Sequence, residues 1–141
     1  MNTAPRGLAL LTVVALSCSA APETRACQAC LEDKIAATYD WQVVSAAGRQ
    51  GHTVVFAAMQ GPVTPDDQSL ERRLTHELLA VPGVDAGSVR VSLSPPALSF
   101  ASNLANRSAE SLVRAANRRL RSLGIALTVV RIGAPAARAG K

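Results

Sequence analysis

Between residues 52 and 132 the apolar residues change their spacing in a fixed order, and that order limits the folds open to this chain. His52 to Met59 is an apolar, β-branched run, the pattern of a strand. Gly61-Pro62 breaks it. Thr64-Pro65-Asp66-Asp67 then reads as a helix start, with Thr64 as the cap and Pro65 at the first helical position. The helix carries Leu70, Leu74 and Leu78 on one face and ends before Pro82-Gly83. Val89, Val91 and Leu93 alternate along a second strand, Pro95-Pro96 turns the chain, and residues 97–102 return as a third. Ser108 caps the next helix, whose apolar face is Leu112, Ala116, Leu120 and Leu123, and Gly124 ends it. Residues 125–132 make the last strand.

The order is therefore β-α-β-β-α-β. It implies an α+β fold of the ferredoxin-like kind, an antiparallel sheet with two helices on one face. One more helix precedes it, from about Cys30 to Ala47, because Leu31, Ile35, Tyr39 and Val43 recur every fourth residue. Glu32 and Asp33 fall in its first turn and Gly48 closes it. On this reading Tyr39 anchors the core and Trp41 packs at its margin. With only 3% aromatic residues against 48% hydrophobic, the core must be made mainly of Leu, Val, Ile and Ala.

Residues 1–21 read as an export signal. Arg6 supplies the positive start, Leu8 to Leu16 an uncharged apolar run, and Ser17-Cys18-Ser19-Ala20-Ala21 the small residues for cleavage. That run is far short of the ~20 apolar residues a spanning helix needs, so no transmembrane span is expected. A second reading takes Ala15-Leu16-Ser17-Cys18 as a bacterial lipobox, with Cys18 as a lipid anchor. Both place the protein in the periplasm or cell envelope. The resulting division is 1–21 signal peptide, 22–51 Cys-x-x-Cys segment and helix, 52–132 the folded domain, and 133–141 a flexible tail.

Val54-Val55-Phe56 followed by a loop and helix, Leu78-Leu79-Ala80-Val81-Pro82-Gly83-Val84 at the helix end, and the Val89/Val91/Leu93 strand resemble the heavy-metal-associated domain family of small metallochaperones. The resemblance implies a ferredoxin-like fold and a soft metal ion as cargo. The family's ligands are a Cys-x-x-Cys in the loop after the first strand. Here that loop is Gly61-Pro62-Val63-Thr64-Pro65-Asp66-Asp67, and it has no cysteine.

The chain's one Cys-x-x-Cys is Cys27-Gln28-Ala29-Cys30, at the start of the leading helix. A helix N-terminus favours the thiolate, which is both the ligating and the nucleophilic form. Two soft thiolates suit Cu(I) or a mercury-like ion, whereas structural zinc needs four ligands. Cys27 and Cys30 are accordingly the expected metal ligands. The same pair also fits thiol–disulfide exchange or a small structural disulfide within a metal-free interaction module. The partners expected are the metal ion and an envelope metal-transport or redox protein.

His52 and His76 read as surface histidines and Met59 as a core residue; that Lys34 and Asp40 flank the thiols is the less favoured reading of the leading helix. Arg114, Arg118 and Arg121 form a basic stripe, read as a solvated face or a weak attraction to anionic lipid. Nucleic acid is not expected as a partner, because the protein is read as exported and few aromatics are present to stack bases. No Gly-x-Ser-x-Gly, Walker loop, His-Glu-x-x-His or dinucleotide fingerprint occurs, so nothing argues for an enzyme.

Overall fold

The computed structural model describes residues 28–133. The export signal, the lipobox cysteine Cys18, Cys27 and the tail beyond Gly133 lie outside these residues. The described elements are α1 (Gln28–Thr38), α2 (Trp41–Gln50), β1 (Thr53–Gln60), α3 (Gln68–Leu79), β2 (Arg90–Leu93), β3 (Pro96–Ser102), α4 (Ala109–Leu120) with a 3-10 turn (Arg121–Leu123), and β4 (Ala126–Ile132). The strands form one sheet in the order β2-β3-β1-β4, antiparallel throughout. This is the ferredoxin-like arrangement.

Two cores fill the two faces of the sheet. Val55, Ala57 and Met59 of β1 point toward α3 and α4, where they meet Leu70, Leu74, Leu78, Leu112, Ala116 and Leu120. Val54 and Phe56 point the other way, onto Ile35 of α1 and Val43 and Ala47 of α2. Because successive strand residues face opposite sides, this alternation puts the N-terminal helices on the face that α3 and α4 leave open. The three-layer stack explains why β1 reads as a continuous apolar run: residues 54–59 are all buried.

The leading helix departs from expectation. It is two helices, broken at Tyr39-Asp40. Asp40 is extended (φ −129°, ψ 113°), and its Oδ1 accepts hydrogen bonds from the backbone N–H groups of Gln42 (2.8 Å) and Val43 (3.3 Å). A short acidic side chain that caps a new helix in this way competes with continuing the old one. Tyr39 therefore leaves the stripe and is 44% exposed, and Trp41 is 65% exposed, so neither is a core residue. Helix α1 already runs by Gln28, so Glu32 and Asp33 lie beyond its first turn. Gly48 is inside α2, whose stop is Gly51 at φ 69°.

The start of α3 is shifted as well. Thr64 does not cap it. Residues 64–67 form a turn in which the Asp67 N–H donates to Thr64 O and Asp66 takes φ 65°. Asp67 is the cap, accepting from the Leu70 N–H at 3.0 Å. The proline-aspartate pair is a turn signal here, with Asp66 tolerating the left-handed region that most residues avoid. Ser108 caps α4 as expected.

Candidate functional site

Cys30 lies in the first described turn of α1, exposed to solvent. Cys27, its partner in the motif, lies outside the described residues. Helix α1 is fixed to the sheet by Ile35 and by a buried hydrogen bond in which Ser99 Oγ donates to Thr38 O at 2.8 Å. A charged contact from Arg131 of β4 to Glu32, two residues beyond Cys30, holds the other end. The thiol is thus presented on a helix whose two ends are tied to β3 and β4.

Among the described residues, no group of three or more His, Cys, Asp and Glu side chains could hold a metal ion. The loop that carries ligands in the resembling family presents none here, and Met59 beside it is buried in the main core. His76 is a surface residue near Glu77. His52 is half-buried, its Nδ1 2.6 Å from Asp85 Oδ2, which joins the start of β1 to the loop before β2. Lys34 and Asp40 do not act as a pair about Cys30, because Asp40 is engaged elsewhere.

That engagement makes a second polar centre. Arg90, the first residue of β2, donates from Nε to Asp40 Oδ2 at 2.8 Å. Its Nη1 donates to the carbonyls of Gly87 (2.8 Å) and Val89 (2.9 Å). The bond from Arg90, followed by the two capping N–H groups, holds the Asp40 carboxyl below its usual value despite the opposing effect of desolvation. Shallow clefts open on both sides of Arg90. One, of about 240 Å³, lies between α2 and the 85–88 loop; the other, of about 310 Å³, is bordered by Tyr39, Asp40, Trp41 and Val91. Local spacing carries no signal for either contact, since the partners are 50 and 33 residues apart.

The basic stripe is a solvated face: Arg114, Arg118 and Arg121 are all exposed. No helix among the described residues is long and apolar enough to cross a membrane.

No protein-family model matches the chain, and no curated protein does. Among solved structures, the crystal structure of oxidized MerP from Ralstonia metallidurans CH34 is similar to it, at 16% sequence identity and a TM-score of 0.42. The alignment covers 57% of this chain and 99% of that one. A likeness of that order says nothing of ligand or partner.

Proposed function

We propose that this chain is an exported envelope protein that binds or transfers a soft heavy-metal ion, copper(I)-like, through Cys27 and Cys30. The observation that carries this reading is the exposure of Cys30 in the first described turn of a helix docked on the sheet. The second thiol of the motif is three residues earlier in the sequence. Two thiolates satisfy a soft ion that accepts two-coordinate sulfur. The resemblance of residues 54–93 to heavy-metal-associated domains supports the same reading, with the ligands moved from the first loop to the N-terminal helix. In this proposal residues 1–21 direct export, with Cys18 as the alternative lipid-bearing terminus, and the ion passes to an envelope transport or redox protein.

The test is competition for Cu(I) between a chromophoric chelator and the reduced protein. Cys27→Ser and Cys30→Ser should each abolish most of the affinity, because two-coordinate binding fails when either sulfur is lost. A wild-type chain that competes no better than the double variant overturns the proposal. The exposure of Cys30 equally favours thiol–disulfide exchange as a second reading. A single-cysteine variant that accumulates a mixed disulfide, without metal affinity in the wild type, selects it.

A further inference from the structure

We infer that the clefts flanking Arg90 form a docking site for an extended peptide ending in an apolar residue and a free carboxylate. Three separate features of the site fit that one occupant. The first is the guanidinium. Three hydrogen bonds through Nε and Nη1 hold it in place, yet it is 38% exposed and its Nη2 has no hydrogen-bond partner among the described residues. Its two remaining donors, both on Nη2, are thereby held in place and can meet a carboxylate oxygen with little loss of freedom, beside the Asp40 carboxylate that already shares the guanidinium.

The second feature is the sheet edge. Strand β2 is outermost, and no backbone group of residues 90–93 has a partner outside its ladder with β3 among the described residues. The opposite edge is not equivalent. On β4, both backbone groups of Leu127 are taken by the Asn117 side chain, which accepts from its N–H at 2.7 Å and donates to its carbonyl at 3.1 Å. An extended peptide can therefore add to β2 by main-chain hydrogen bonds.

The third feature is the use of aromatic residues. Phe56 and Phe100 are buried in the cores, whereas Tyr39 and Trp41 are exposed together at the α1–α2 break, on the rim of the larger cleft beside Arg90 and Val91. Exposed Tyr and Trp beside a fixed arginine are the composition of an interface hot spot, and their rings can receive an apolar side chain. The site uses neither cysteine, so it stands or falls independently of metal binding.

The experiment uses an array of N-acetylated hexapeptides with apolar or aromatic last residues, each made as the free acid and as the amide. Binding to the reduced chain is read by backbone amide shifts and by the fluorescence of Trp41, its one tryptophan. The expected result is saturable binding of free acids, with shifts confined to residues 38–43 and 85–93. The matching amides should bind at least about tenfold more weakly, because a hydrogen bond to a charged group is lost. Trp41→Ala, at a surface position, should keep the native spectrum and weaken the acids. Arg90→Lys should remove the preference for acid over amide. Equal binding of acids and amides, shifts located elsewhere, or no binding by any acid in the array each overturns the inference.

Discussion

Asp40 and Arg90, 50 residues apart in sequence, meet at 2.8 Å, and the same carboxylate also caps α2. One oxygen accepts from the guanidinium and the other from the Gln42 and Val43 N–H groups. The break that separates α1 from α2 is therefore also the point at which the N-terminal layer is fastened to the edge strand β2.

A pH dependence follows from this double use. The Asp40 pKa is lowered from 3.8, first through the Arg90 hydrogen bond, so the unfolded chain takes up the proton more readily than the folded one. The resulting stability is fully present above pH 3.8 and is lost as pH falls through the depressed folded value. Asp40→Asn should lower stability at neutral pH and flatten the acid limb of a urea-denaturation series. Part of that limb should persist, because Glu110 is also held low, by its own backbone N–H and the Ser108 hydroxyl. Glu110→Gln in the same background should remove that part.

The cores give a contrast in magnitude. Leu74 and Leu120 are fully buried between the sheet and the α3–α4 layer. Each truncation to alanine should cost about 2–5 kcal/mol, as for buried leucines elsewhere. Arg118→Ala, on the exposed side of α4, should stay within about 0.5 kcal/mol. Chemical denaturation measures all three, and similar losses for the three variants would mean that the faces are wrongly assigned.

The same comparison shows what was legible in the sequence. The stripes Leu70/Leu74/Leu78 and Leu112/Ala116/Leu120 are local and periodic, and each is buried in one core, so the β-α-β-β-α-β order was readable from spacing. The break at Tyr39-Asp40 was hidden by a four-residue stripe that runs across it, and Asp40 reveals itself as a cap only with its bonds in view. The start of α3 is hidden for a related reason: Pro65-Asp66 suits a helix start and a turn equally. The covering of the second sheet face by α1 and α2 depends on long-range packing. Its one local trace is the unbroken apolar run Val54 to Met59, which a strand covered on both faces requires. Of the candidate site, the Cys-x-x-Cys was visible as a motif, whereas the Arg90 centre joins elements that no spacing rule connects.

The fastening of α1 to the sheet should be separable from global stability. Ser99 Oγ donates to the Thr38 carbonyl in a buried setting, and Ser99→Ala leaves that acceptor without its partner. The expected loss is about 1–3 kcal/mol for an unsatisfied buried group. Because Ser99 is on β3 and Thr38 ends α1, the increase in amide hydrogen exchange should be greatest in residues 28–38. A uniform increase across α3 and α4 would show that the two layers do not open independently.

Two glycines should respond to alanine with opposite signs. Gly48 is within α2, and a Cβ there meets nothing within 4 Å. Gly48→Ala should stabilise by about 0.4–1 kcal/mol, by restricting the unfolded chain and improving helix propensity. Gly61 follows β1 at φ 131°, and a Cβ would press against the carbonyl oxygen of Gly124, itself at φ 69° where the 3-10 turn enters β4. The atom that the Cβ meets is backbone, so no side chain can rotate away. Gly61→Ala should therefore destabilise by about 1–3 kcal/mol, the usual cost of a residue held in a sparsely populated conformation, before any displacement of the turn. Thermal melts of the two variants beside the parent decide the point, and a Gly61→Ala melt at or above the parent's would mean that β1 and the 121–124 turn are not in close contact in solution.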